Sequence, residues 1–428
     1  MSILGLLPML IVGVGIYFLI KLRFFFIFRP NNTLKKTFEK GFSKNSGKAL
    51  SLALAGTLGV GNIVGVAYGI TVGGAGCLFW IFVSGIFSSV IKYCESTLSA
   101  SFLDGGRGGM MYVIARSMGK AGSALGKTYS VLCLFLALFM GSALQTKSVA
   151  DAGAVSFGCQ PYLLSCVFTL LIFLTVRGNG KRIENVTAIV IPIATAVYIF
   201  ICFAVILSGA RSLPSVLSEV FRGAMNFKSA SGGVLAFLSS NAMKEGFARG
   251  LLSNEAGAGT SSIAQCRAEG AHPAKVGLFG MCEVFFDTTL LCTLTGLATL
   301  LSSAYGGKSG IYTVIDAFSS VLGNASAPVL FLLIFAFAYS TVVCWYFYAS
   351  EALSFLFGSG KNLFFNCLFF ASSLLGVFLP EAVIILVTDS VLFLMSVLTL
   401  LALMKNSERI VFLSEQYGLL KSKHSDVR

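Results

Sequence analysis

The sequence predicts an all-α polytopic membrane protein of about eleven transmembrane helices. Three observations predict it. The chain has 428 residues, of which 56% are hydrophobic and only 11% charged; a soluble chain carries roughly 25% charged residues. Apolar runs of about 20 residues recur along it, and a bilayer is the one stable home for such runs. Its 31 basic residues gather in alternate connections, the asymmetry that a membrane topology imposes. Together these exclude a water-soluble enzyme and a disordered chain.

The runs fall near residues 3–27, 50–70, 76–101, 127–152, 160–177, 185–209, 234–265, 276–302, 327–356, 362–379 and 382–404. The first is too long for the core of a signal peptide and has no basic residue before it, so it reads as a retained helix. The second and seventh are rich in glycine and polar residues at mid-run. Set aside the first helix, and these two each open a set of five, the spacing of a five-plus-five inverted repeat. The expected organisation is a transmembrane helix in 1–30, a basic cytoplasmic loop in 31–49, a first five-helix repeat in 50–209, an extracellular loop in 210–233, a second repeat in 234–404 and a cytoplasmic tail in 405–428.

Charge orients this arrangement. With the N-terminus outside, 21–48, 102–127, 177–182, 267–275, Lys361 and the tail hold 23 of the 31 basic residues. The opposite face holds four, Arg211, Arg222, Lys228 and Lys308, while Lys92, Lys147, Lys244 and Arg249 lie within spans. The net charge of +13 is therefore topology, not the footprint of a nucleic acid. The 11 cysteines show no C-x-x-C pair, and two histidines cannot complete a metal cluster. No cofactor is expected.

Two stretches carry chemistry. Gly56, Gly59 and Gly61 precede Asn62 within the second run. Each interior glycine costs a helix about 1 kcal/mol relative to alanine, so three together predict a break. A break frees carbonyls that can bind a cation and N–H groups that can bind a carboxylate. Gly61, Gly65 and Gly69 also form a stripe that packing alone would explain. The second stretch, Gly250–Ser262, holds Asn254 and Glu255, with Glu245 and Arg249 upstream. Ionisable residues within a span mark function, or else an Arg249–Glu pair that holds helices together. Two broken helices in corresponding halves point to a secondary transporter with its site near the membrane midplane.

At these residues the sequence resembles the alanine or glycine:cation symporter family. The resembling segments are Ala53–Gly69, Gly73–Gly76, Gly105–Tyr112, Gln145–Asp151, Arg249–Ile263, His272-Pro273, Phe286–Thr288 and Phe335–Glu351. Ser253-Asn254-Glu255-Ala256-Gly257 is the most specific of them. The resemblance implies sodium-coupled uptake of a small neutral amino acid across a cell membrane, with the proton as an alternative coupling ion. The implied substrate site comprises Thr57, Gly59, Gly61 and Asn62 of the first broken helix, Gln145, then Ser253 and Asn254 of the second, and Thr341 with Trp345. By analogy with the fold, sodium falls among Ala55, Thr57, Leu58, Ser340 and Thr341. Lys147 departs from the family pattern. Two positions after Gln145 it lies about 200° around the helix, facing away and able to pair with Asp151; the sharper reading makes it a proton carrier or a stand-in for a cation. Glu95, Asp287 and Glu351 read as structural partners near helix ends, and Asp389 as isolated.

Two rival readings share these features. A channel would need a pore that is polar along its length, which two localised breaks do not supply. A non-transporting amino-acid binder or sensor would use the same site.

Overall fold

The computed structural model describes residues 3–38, 44–177, 180–225, 240–268, 270–302, 310–358 and 362–420. Among them the chain is helical throughout, apart from turns and one isolated antiparallel bridge between Asp104 and Arg107. The longer helices are α1 (Ile3–Lys21), α2 (Pro30–Phe38), α3 (Lys44–Thr57), α4 (Val64–Gly73), α5 (Gly76–Ala100), α6 (Met110–Ser117), α7 (Gly122–Leu138), α8 (Leu144–Phe157), α9 (Pro161–Val176) and α10 (Gly180–Ser208). They continue with α11 (Leu213–Ala224), α12 (Asn241–Asn254), α13 (Pro273–Val284), α14 (Thr293–Leu301), α15 (Ile311–Leu322), α16 (Ser326–Phe357), α17 (Leu363–Leu375), α18 (Glu381–Lys405) and α19 (Ser407–Gln416).

Among the described residues, six helical stretches are long and apolar enough to cross a membrane: Gly76–Ala100, Gly119–Phe157, Thr187–Ser208, Pro273–Leu301, Ile311–Phe357 and Glu381–Lys405. A seventh is the bent pair Ala49–Thr57 and Val60–Gly73, which turns by 56° at its break. Leu6–Lys21, Pro161–Val176 and Leu363–Phe378 are shorter apolar helices. The surface is correspondingly apolar: Phe200, Leu207, Leu363, Phe364 and Phe378 are all at least 70% exposed. The interior inverts the soluble pattern, and α5 alone buries Ser84, Ser88, Lys92, Glu95, Ser96, Thr97 and Ser99.

Several elements differ from the sequence reading. The first helix stops at Lys21 instead of running to 27, because Arg23 and Phe24 adopt left-handed φ values of 54° and 49° and turn the chain. The expected loop 210–233 contains α11, whose Val216 and Val220 face a cluster with Ala75, Leu78 and Ile81. The stretch before α16 forms α15. Residues 226–239, which include the start of the expected seventh span, residues 421–428 of the expected tail and parts of the basic loop at 39–43 lie outside the described residues.

Two helices contain π segments, Phe139–Ala143 between α7 and α8 and Phe285–Cys292 between α13 and α14. Such wide turns leave backbone carbonyls without their usual i+4 partners. The second lies against both broken helices, through Asp287 to Asn62 and Ser253.

The start of α13 sets one stability prediction. His272 caps it: its Nδ1 accepts from the Ala274 N–H at 3.2 Å, and its ring stacks on Tyr417 at 5.0 Å. Partial burial lowers its pKa from 6.5, so the neutral, accepting form is favoured in the fold. The folded chain then holds fewer protons than the unfolded one, so this contribution is complete above pH 6.5 and fades as pH falls through the lowered value. His272→Ala is expected to cost about 0.5–1.5 kcal/mol at neutral pH. Thermal unfolding from pH 8 to pH 5 should show the mutant's deficit shrinking on acidification.

Candidate functional site

The break in the first helix builds one half of the site. α3 ends at Thr57, and Val60–Asn62 form a single 3-10 turn before α4 begins. Gly59 sits at the centre. A Cβ there would lie 3.0 Å from Thr341 Oγ1 and 3.1 Å from Gln145 Oε1, so only glycine lets these two side chains close on the backbone. Thr341 Oγ1 stands between two carbonyls that α3 leaves at its end, Ala55 O at 2.9 Å and Leu58 O at 3.4 Å. Gln145 Oε1 accepts from the Val60 N–H at 3.2 Å, and its Nε2 donates to Met140 O in the π segment at 3.1 Å. The site thus offers hard carbonyl and hydroxyl oxygens on one side of Gly59 and an amide on the other.

Asp287 builds the other half. It is fully buried in the second π segment. Its Oδ1 accepts from Asn62 Nδ2. Its Oδ2 accepts from Ser253 Oγ at 2.5 Å and from Thr288 Oγ1 at 3.0 Å. Asn254 Nδ2 donates to Thr288 Oγ1 at 2.9 Å, and Asn254 Oδ1 accepts from the Ala256 N–H at 2.8 Å. One carboxylate therefore joins both breaks. Asn62 Oδ1 is buried with no hydrogen-bond partner among the described residues. The second break follows at once, where Glu255 takes a left-handed φ of 55° and ends α12.

The expected site residues divide accordingly. Ala55, Leu58, Gly59, Gln145 and Thr341 meet in the first half. Asn62, Ser253 and Asn254 meet in the second. Thr57 is buried, but its hydroxyl turns to its own helix, toward Ala53 O at 3.4 Å. Ser340 does the same, donating to Ala336 O at 2.8 Å and Phe337 O at 2.9 Å. The structure therefore does not bring these two hydroxyls to the Thr341 oxygens. A Cβ at Gly61 would lie 3.8 Å from Leu252 and one at Gly65 3.5 Å from it, and Gly69 lies under the Arg249 stem. The stripe of Gly61, Gly65 and Gly69 is thus a packing face for α12, whereas Gly59 is the glycine that Thr341 and Gln145 approach at the break.

Trp345 is fully buried one turn from Thr341. It lies on the π segment, where a Cβ at Gly141 would come within 2.4 Å of its ring. Its Nε1 has no hydrogen-bond partner among the described residues. Lys147 lies 3.7 Å from Asp151, as its angular position predicts, and both line a cavity of about 100 Å³ with Val64, Leu144 and Glu381.

Sequence reasoning placed Asp287 near a helix end with a structural role, and left Asp389 isolated. The structure corrects the placement of the first and the isolation of the second: Asp287 lies mid-helix between the two breaks, and Asp389 pairs with Arg249 at 2.7 Å. The available signal was the polar Asp-Thr-Thr run inside an apolar span. Among the described residues no group of three or more His, Cys, Asp or Glu side chains is arranged to hold a metal ion.

Comparison with known proteins places the chain in a family. The chain is 31% identical over 82% of its length, and 80% of the relative's, to the sodium/alanine symporter AgcS of Methanococcus maripaludis. It is 30% identical over 84% of its length, and 76% of the relative's, to the probable sodium/glutamine symporter GlnT of Bacillus subtilis. In fold it is similar to a manganese transporter of Eremococcus coleocola, with a TM-score of 0.52 over 86% of this chain and 78% of that one at 13% identity. Residues 2–427 match the family described as sodium:alanine symporters; the chain is a multi-pass membrane transporter for cation-coupled amino-acid symport and belongs to the sodium:alanine symporter family.

Proposed function

We propose that the protein couples the inward movement of sodium to uptake of a small neutral amino acid, alanine or glycine, by alternating access. The observation that carries this reading is Thr341 Oγ1 held between Ala55 O and Leu58 O, three hard oxygens from two helices at a helix break. Sodium takes such ligands. The substrate's carboxylate goes to N–H groups around Gly59–Asn62, and its ammonium to the oxygens of Gln145 and Asp287. The close approach of Gln145 and Thr341 over Gly59 favours a small side chain, because a larger one clashes. In this reading 50–209 and 234–404 are the two inverted repeats, the N-terminus is outside a bacterial plasma membrane and the tail is cytoplasmic. Sodium and substrate favour the same conformers, so each raises the affinity for the other.

The test is uptake of labelled alanine and glycine into proteoliposomes with and without an inward sodium gradient. Stimulation at least tenfold is expected. Thr341→Val removes the hydroxyl at nearly constant volume and is expected to raise the sodium concentration for half-maximal uptake about tenfold. Uptake of small amino acids that ignores sodium would sink the reading.

A further inference from the structure

A second polar centre lies beside the second break, and the site described above does not use it. Lys92 of α5 is fully buried. It donates to Asn254 O at 2.5 Å and lies 3.3 Å from Glu283 Oε1. Glu95 and Glu255 are also fully buried and within electrostatic reach of the same ammonium. Three carboxylates therefore share one lysine. Their remaining bonds go mostly to the connection after α12: Glu95 Oε1 accepts from the Gly257 N–H at 2.6 Å, Glu255 Oε2 accepts from Thr260 Oγ1, and Glu283 Oε2 accepts from Gln265 Nε2. Glu95 Oε2 and Glu255 Oε1 are buried with no hydrogen-bond partner among the described residues. The Ser261 hydroxyl is buried beside Glu283.

The neighbours do not balance this charge. α7 contributes Tyr129 and Cys133, α16 contributes Cys344 and Tyr348, and the π segment contributes Asp287, a further carboxylate. α5 itself adds Tyr93 and Cys94. The positive charge nearest on α12 is Arg249, which pairs with Asp389 and Glu245. α1 and α18 close the side at Gly257 through Ile11 and Ser396, which are not ionisable. Buried carboxylates that lack a counter-charge are stable when protonated.

We propose that Lys92, Glu95, Glu255 and Glu283 form an intramembrane proton-binding site, whose carboxylates take up and release protons as the 254–260 connection moves. Uptake converts a carboxylate to the neutral acid and leaves the centre one charge less negative; release returns the proton to water when the connection opens. The centre reaches the substrate site through bonded groups: Lys92 holds Asn254 O, Asn254 holds Thr288, and Thr288 holds Asp287, which holds Asn62. The proton-binding claim stands alone; its coupling to transport rests on the reading proposed above.

Infrared spectroscopy of the full chain in lipid nanodiscs tests the site directly. The wild type is expected to show a protonated-carboxyl C=O band at neutral pH that shifts in heavy water and disappears at alkaline pH. Glu95→Gln and Glu255→Gln are each expected to lose part of it. No such band in the wild type, a band that survives both substitutions, or a band abolished by sodium at fixed pH would overturn the proposal. In proteoliposomes with equal sodium on both sides, an acid-outside pH gradient is expected to stimulate wild-type alanine uptake at least threefold. Glu255→Gln is expected to lose that stimulation and keep sodium-driven uptake. Wild-type uptake that responds to sodium but not to the pH gradient would overturn the coupling. Should the wild type move no amino acid under either gradient, the symport reading fails, and the infrared result still decides the site.

Discussion

Asp287→Ala is expected to reduce sodium-driven alanine uptake by roughly 30- to 700-fold without preventing insertion or folding. The reasoning starts from the three side-chain donors that converge on its carboxylate, Asn62 Nδ2, Ser253 Oγ and Thr288 Oγ1. Alanine leaves all three without that acceptor inside a span. An interhelical hydrogen bond in a membrane is worth about 0.6 kcal/mol on average, and a buried donor left unpaired costs about 1–3 kcal/mol. Three such bonds come to about 2 kcal/mol, and one donor left wholly unpaired, at the middle of that range, adds about 2 more, so the total is about 2–4 kcal/mol; 1.4 kcal/mol is one decade. The cost falls on function because the carboxylate joins the residue after the first break to the residues before the second. Asp287→Asn keeps the shape and one acceptor oxygen, so it is expected to retain a measurable part of the uptake. Initial rates over a range of sodium concentrations, with thermal unfolding as the control for folding, check this. Wild-type rates for Asp287→Ala would mean that the two breaks are not coupled through this carboxylate.

The unequal legibility of the site has a physical origin. Glycine clustering is local, so Gly56, Gly59 and Gly61 announced the first break before any partner was known. Helical spacing is local too, so Lys147 and Asp151 could be paired from their offset of four. The Asn62–Asp287 bond crosses 225 positions, and Arg249–Asp389 crosses 140. No periodicity records such partners; only the packed helices bring them together. The hydroxyl residues divide for a different reason. Ser340 and Thr341 are adjacent, and one full helical step separates their directions, so only one can face the first break. Thr341 faces it, while Ser340 bonds its own carbonyls at i−3 and i−4. Composition could suggest both and choose neither. The π segments were invisible for a related reason: Phe139–Ala143 and Phe285–Cys292 read as ordinary apolar helix, yet they carry the carbonyl that Gln145 uses and the carboxylate that Asn62 uses.

Arg249→Met is expected to be among the most destabilising single changes in the chain, by about 3–5 kcal/mol, because it strips the partner from a buried charge. Arg249 is 1% exposed. Its Nη2 lies 2.7 Å from Asp389 Oδ2 on α18, its Nε lies 3.4 Å from Glu245 Oε2 one turn back, and its guanidinium sits 5.6 Å from the centre of the Tyr68 ring on α4. A single side chain thus ties α12 to both the second half of the first broken helix and the last long helix. Gly69 allows this, since a Cβ there would come within 2.6 Å of the Arg249 stem. Methionine fills most of the volume but leaves Asp389 buried without its cation. The double variant Arg249→Met with Asp389→Leu replaces the pair by apolar groups, and buried pairs replaced this way are often neutral or more stable. It is therefore expected to recover more than half of the thermal stability lost by Arg249→Met alone. Thermal unfolding of the wild type, both single variants and the double variant gives the coupling between the two residues. Equal loss in the single and double variants would mean that the stem of Arg249 against Gly69 and Tyr68, rather than its charge, holds α12 in place. In the expected case the electrostatic cost of leaving Asp389 alone keeps Arg249 where it is, and the second break stays in register with the first.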